Sequence, residues 1–246
     1  MHKINDNAMK NKGILSCLIL GVTVGVGLLL LGMQIKMGFQ DVSQNRRTVA
    51  VRGLSEREVT ANLVTWPIVS KEVGNDLPSL YASIEKTNRI IVEFLVANGV
   101  AESEISINAP DVLDLQADRY SSGNIPFRYN VTNVVVVTSS QVTKINSLVK
   151  RQVELLKQGV AIVAGDYQYR IQYDYTDLNV IKPEMIADAT KNAREAAEKF
   201  AEDSHSTLGK IKNASQGQFS IDDRDQYTPY IKRIRVVSSV EYFLKD

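Results

Sequence analysis

The sequence predicts an α+β fold, a mostly antiparallel sheet with packed helices, preceded by one N-terminal transmembrane helix. Three observations predict it. An uncharged apolar run spans Gly13 to Met33. Several segments rich in β-branched residues alternate with period two. Three further stretches carry apolar residues at helical spacing between recognisable start and stop residues.

The apolar run GILSCLILGVTVGVGLLLLGM has no polar face. At about 1.5 Å rise per residue it matches a hydrocarbon core of about 30 Å. A cleaved signal peptide is the competing interpretation, but the run exceeds the usual length of such a core, and no small-x-small site follows it. Lys3, Lys10 and Lys12 precede the run, which favours a cytoplasmic N-terminus and an external C-terminal domain. Within the run, Gly21-x-x-x-Gly25 is the spacing that lets two membrane helices approach closely. The chain therefore divides into a cytoplasmic tail (1–12), an anchor (13–33), a polar stalk (34–47) and one folded domain (48–246).

The domain opens with strands at Thr48–Gly53 and Ala61–Ser70. Pro67 offers no N–H, so the second strand is expected at an edge or at a bulge. A helix follows, capped by Asp76, with Pro78 in its first turn and Asn98-Gly99 as its stop. Ile105–Ile107 and Asp111–Leu115 are short extended segments, residues 120–126 form a turn-rich loop, and Arg128–Thr138 is a β-branched strand. A second helix covers 141–157 and ends at Gln158-Gly159. Tyr167–Tyr175 alternates strictly, so a strand is expected with Tyr167, Tyr169, Tyr173 and Tyr175 on one face. A third helix starts near Pro183 and buries Ala189, Ala193, Ala196, Ala197 and Phe200. Residues 204–209 break it, 216–228 form an aspartate-rich loop, and Ile231–Phe243 closes the sheet.

The chemistry-bearing residues are sparse. The only cysteine, Cys17, lies in the anchor, so the domain has no thiolate nucleophile, disulfide or cysteine-ligated metal. The histidines are His2 and His205; the latter sits in a polar stretch with no nucleophile elbow elsewhere in the chain. Asp222, Asp223 and Asp225 lack the glycine and terminal glutamate of a calcium loop. Asn130 and Asn213 head glycosylation-type triplets, but Asn130 opens a strand. Leaving out Lys3, Lys10, Lys12, Lys36 and Asp6 makes the remainder slightly acidic, about −2, which offers no case for nucleic acid. No catalytic, cofactor-binding or metal-ligating set is predicted.

Four passages taken in order resemble a known family. They are Thr48-Val49-Ala50-Val51-Arg52-Gly53-Leu54; Asn98-Gly99-Val100 with Glu104-Ile105; Tyr129-Asn130-Val131 leading into Val134–Val137; and the alanine-rich Ala189–Gly209 ending in Leu-Gly. Over about Thr48 to Asp246 the chain is similar to the SIMPL-domain (DUF541) family of bacterial periplasmic and envelope proteins. It departs at Ala61-Asn62, where many members have Pro-Asp, and in its long N-terminal run, where many have a cleaved signal. The resemblance implies an α/β envelope protein without established enzymatic activity, linked in some members to stress tolerance and in some to ring-like homo-oligomers. It transfers no catalytic residues.

The expected function is thus that of a single-pass bacterial inner-membrane protein, bound to the bilayer through residues 13–33, with its C-terminal domain in the periplasm. It acts without catalysis through self-assembly or an unidentified protein partner. The alternatives are a small-ligand-binding module using the Tyr167–Tyr175 face, and a hydrolase with an unrecognised site.

Overall fold

The computed structural model describes residues 21–36, 47–117, 126–163 and 165–245. Residues 21–36 form a helix, α1, whose valines and leucines are exposed, with Leu28, Leu29, Leu30 and Leu31 between 58% and 69%. It continues through Lys36, so the first residues of the expected stalk are helical. Residues 13–20 of the expected anchor and the tail before it lie outside the described residues. Among the described residues no helix is long and apolar enough to cross a membrane.

The folded region divides into two compact units. Antiparallel sheets with packed helices bear out the α+β expectation. The larger unit holds residues 56–185 and 219–236. Its five-stranded sheet runs β3 (Ile105–Ile107), β5 (Tyr129–Ser139), β2 (Leu63–Gly74), β6 (Gln172–Asp174), with β4 (Asp111–Asp114) also on β5. Helices α2 (Leu77–Ala97), α3 (Val142–Arg151) and α4 (Val153–Lys157) accompany it. Strand alternation puts Val64, Trp66 and Ile68 of β2 on the same side as Val135 and Val137 of β5. There they meet Ile91 and Leu95 of α2, Ile145 of α3 and Leu155 of α4, all fully buried. Each such side chain contributes about 1.5–3 kcal/mol by leaving water.

Several expectations are corrected in this unit. β2 is interior to the sheet, paired with β5 from Val64 to Gly74. On its other side β6 pairs only with Leu63–Thr65, and the next link is the Ser70–Ile162 bridge. Pro67 falls between the two, where its missing N–H breaks no ladder. The helix expected over 141–157 is split at Gln152 into α3 and α4. The strand expected over Tyr167–Tyr175 is mostly not one. Gly165 has a φ of +99°, Asp166 caps a 3-10 turn at Tyr167–Tyr169, and only Gln172–Asp174 is extended. Within the aspartate-rich segment, β8 (Ser220–Asp223) pairs antiparallel with Lys232–Arg235 of β9 (Ile231–Lys245).

The smaller unit holds residues 1–55, 186–218 and 237–246. Its strands follow the order β1 (Thr48–Thr60), β9, β7 (Thr207–Gln216). No strand is expected at β7, where only the helix break over 204–209 and the start of the loop at 216 fall. β7 is exposed along most of its length and carries two register shifts against β9, so it shows no apolar period. Helix α5 (Leu178–Asp203) begins one turn before Pro183. Its residues Ala189, Ala193, Ala197 and Ala201 are buried, whereas Phe200, expected in that stripe, is 59% exposed. The stripe permits close approach. A Cβ on Gly53 of β1 would stand 1.9 Å from the Ala189 carbonyl oxygen and 2.4 Å from the Ala193 nitrogen.

Three helices end in one hydrogen-bonding pattern. Val100 donates to Leu95 and Gly99 to Val96; Val160 donates to Leu155 and Gly159 to Leu156; Ser206 donates to Ala201 and His205 to Glu202. This is the Schellman arrangement, in which the residue after the cap takes a positive φ. Those residues are Gly99, Gly159 and His205, the last at φ 53°.

Candidate functional site

Helix α2 forms because Asp76 accepts from the Ser79 N–H (3.0 Å) and from its hydroxyl, with proline in the first turn. The Ser79 hydroxyl bond, helped by the Ser79 N–H, holds the Asp76 carboxyl below its ordinary value. One face of the helix, through Leu80, Ile84, Thr87, Ile91, Phe94 and Leu95, is buried. The flank beside that face carries Tyr81, Glu85, Asn88, Arg89, Val92 and Glu93, and these residues form one wall of a groove of about 650 Å³. Ile107 of β3 and the link Asn108–Pro110 form the other wall. Tyr81 is 57% and Ile107 54% exposed, so the groove offers apolar surface to an incoming molecule.

One lining residue, Asn88, is tied to a polar cluster in the core. Asn133, fully buried on β5, donates from Nδ2 to Asn88 Oδ1 at 2.7 Å and to Ser70 Oγ at 3.3 Å. The Asn133 Oδ1 atom has no hydrogen-bond partner among the described residues. A buried amide oxygen without a partner costs stability. The groove thus combines apolar walls, alternating charges along α2 and an amide cluster beneath, with Asn88 linking the cluster to the groove lining.

The expected tyrosine face is distributed over four environments. Tyr167 is 75% exposed on the turn, with the Arg170 guanidinium 4.1 Å from its ring centre. Tyr169 lines a separate concavity of about 400 Å³ with Pro67, Thr132 and Val134, on the sheet face opposite α2. Tyr173 is buried on β6, bonded to Asn146 and edge-on to Tyr230 at 6.2 Å between ring centres. Burial, with a smaller effect of Tyr230, pushes its phenol above the ordinary value. Tyr175 is half-buried beyond the strand end.

The acidic segment is occupied structurally. Asp225 accepts from Thr228 Oγ1, from Arg224 Nε (3.0 Å) and from the N–H groups of Tyr227 and Thr228 (both 2.8 Å). Asp223 pairs with Lys232. No group of three or more metal-ligating side chains occurs among the described residues. His205 is exposed and serves the helix end described above. Gly21 and Gly25 lie on α1 with open space where their Cβ atoms would be.

Sequence reasoning passed over the groove residues. One signal was present: Asn133 stands at the same parity as Val131, Val135 and Val137, an amide in a row of buried valines. Nothing local marks Tyr81, Arg89 or Ile107, which meet only when α2 is laid beside β3.

No curated protein matches the chain. The model of the SIMPL family, described as a protein of unknown function (DUF541), matches residues 49–239. That span opens in β1 and includes the groove, the larger unit and the smaller unit as far as residue 239 of β9. On that match the chain belongs to the SIMPL (DUF541) family.

Proposed function

We propose that this SIMPL-domain protein is held in the bacterial inner membrane by residues 13–33, presents its domain to the periplasm, and works without catalysis by binding a partner in the α2 groove. The observation that carries the binding role is the groove itself, open, apolar-walled and underlain by the Asn88–Asn133–Ser70 cluster. The exposed leucines of α1 support the anchor, because four consecutive exposed leucines are costly in water and favourable in lipid. Copies of the chain associate through the Gly21–Gly25 face of that helix, where no side chain keeps a neighbour at a distance. The process served is envelope or stress physiology.

Membrane fractionation tests the anchor. The mature protein should resist carbonate extraction, and a mature N-terminus near Gln34 would refute retention. Alkaline phosphatase fused after Asp246 should be active, and an inactive fusion would reverse the orientation. A photo-crosslinking residue in place of Tyr81 should label a partner that the same residue in place of Tyr227 does not.

A second reading rests on the concavity beside Tyr169, Arg170 and Gln172. It would make that face a small-ligand site. Protection of Tyr169 from iodination by a ligand that leaves Tyr81 reactive would favour it.

A further inference from the structure

The concavity beside Tyr169 is built on the face of the larger sheet opposite α2. Residues paired across antiparallel strands share a face. Thr132 of β5 therefore shares one with Lys71 of β2 and Asp111 of β4, and Pro67 of β2 with Val136 of β5. Gln172 and Asp174 of β6 join the same face opposite Thr65 and Leu63. Trp66, Ile68, Val135 and Val137 alternate with these positions and are buried on the other side. Thr65, Pro67, Thr132, Val134 and Val136, all half-buried, form the floor. One wall is Gln168–Arg170 with Gln172, and the other is Asn108, Ala109 and Asp111. From β4 to β6 the sheet spans three strand intervals, about 14 Å. The enclosed space of about 400 Å³ is in the range of small-molecule pockets.

Two properties of the lining select a ligand. The first is charge. The charged groups that line the concavity are one of each sign, Arg170 and Asp111, and the sheet face beyond them adds Lys71 and Asp174. Asp166, at the start of the turn, is engaged by the Gln168 N–H. No single sign prevails, so the lining does not select an ion.

The second property is the mix of surfaces. Pro67, Val134 and Val136 give the floor an apolar strip, and Tyr169 adds aromatic surface beside it. Around the strip stand Asn108, Gln168 and Gln172, amides that each donate and accept, with the donors of Arg170 and the acceptors of Asp111. Among the described residues the side chains of Asn108, Asp111, Gln168 and Gln172 have no partner within the protein, so this capacity is open to a ligand. A pyranose ring has the matching form: C–H faces, and a rim of hydroxyls that each donate and accept.

Resting on the second reading given above, we infer that the ligand of this concavity is a neutral saccharide of one or two pyranose rings. A C–H face of the sugar lies on Tyr169 and the apolar strip, and its hydroxyls meet the amide rim. Apolar area supplies contact and the few placed polar groups fix orientation.

The test uses the full chain in micelles of a detergent without a sugar headgroup. Cellobiose, maltose and N,N′-diacetylchitobiose are titrated, with binding read by saturation-transfer difference NMR. Saturable binding of at least one is expected. Tyr169→Ala and Gln172→Ala should each weaken it about fivefold or more, through lost stacking surface and a lost hydrogen bond. Tyr81→Ala, in the α2 groove, should leave it unchanged. Sorbitol, which carries hydroxyls without a ring face, should not compete, and glucuronate and glucosamine should bind no tighter than glucose. If Tyr169→Ala fails to fold, Gln172→Ala, on an exposed side chain, still decides the question. Failure of all three disaccharides to bind overturns the saccharide assignment; protection of Tyr169 from iodination by a ligand of another class would then uphold the concavity as a site by itself. Binding that survives both substitutions puts the sugar elsewhere and overturns the proposal. Glucuronate or glucosamine binding about tenfold tighter than glucose overturns the choice of a neutral ligand.

Discussion

The two units each lay a helix on a sheet, and they do so with opposite side chains. In the smaller unit the contact is made by Ala189, Ala193 and Ala197 against Val51 and Gly53, so backbone meets backbone. In the larger unit Trp66, Ile68, Ile91, Leu95 and Ile145 fill the layer, and large side chains hold the helices off the sheet. The difference teaches where a site can form. Close packing of alanine on glycine leaves no room for a ligand between helix and strand. A layer propped by large residues leaves a margin at its edge, and the α2 groove occupies that margin.

The largest effect expected from breaking this contrast is loss of the prop. Trp66→Ala should destabilise the larger unit by about 3–5 kcal/mol. A urea midpoint shift equivalent to less than about 1 kcal/mol would show that the layer does not depend on it. A matched pair of glycines sharpens the comparison. Gly53→Ala forces a Cβ into helix backbone and should cost about 3 kcal/mol. Gly74→Ala meets only the Leu80 side chain, at 3.1 Å, and should cost less than about 1 kcal/mol because that side chain can turn. Equal costs at the two positions would erase the distinction between the units.

A smaller effect tests the helix ends. His205→Gly relieves a positive φ in a non-glycine residue and should raise stability by about 0.5–1 kcal/mol. Gly99→Ala should lower it by a similar amount, about 1 kcal/mol. Thermal denaturation of the two variants should therefore move in opposite directions.

The smallest effect concerns pH and involves only the larger unit. The Thr228 hydroxyl, with Arg224 and the Tyr227 N–H, holds the Asp225 carboxyl well below the usual carboxylate range. A depressed carboxylate stabilises the fold above its unfolded pKa of about 4, and that contribution is lost as pH falls through the folded value. Asp225→Asn should therefore flatten part of the stability decline between about pH 4 and pH 2 and leave the neutral range nearly parallel to wild type. An unchanged acid limb would show that the carboxylate does not contribute.

The legible parts of the fold were those with a local cause. Asn98-Gly99 and Gln158-Gly159 announced two helix ends because glycine takes a positive φ at little cost; His205 adopts the same conformation without that signature. β5 was legible because its valines alternate with a buried face, but β7 was not, since an exposed strand has no apolar period to display. The tyrosine alternation misled because period two describes a strand only if the backbone stays extended, and Gly165 and Asp166 turn it instead.

The sequence by itself determined the apolar N-terminal run, the family, the main helices and the buried face of β5, because each follows from residue type at short spacing. Only the tertiary structure decided that Pro67 sits in an interior strand, that Phe200 faces outward, and that Tyr81, Asn88 and Arg89 stand across from Ile107. Those outcomes depend on which strand pairs with which and on how far large side chains hold a helix from a sheet. Pairing of that kind joins residues distant in the chain, such as Ile107 with Val135 and Asn133 with Ser70, and no local pattern records it.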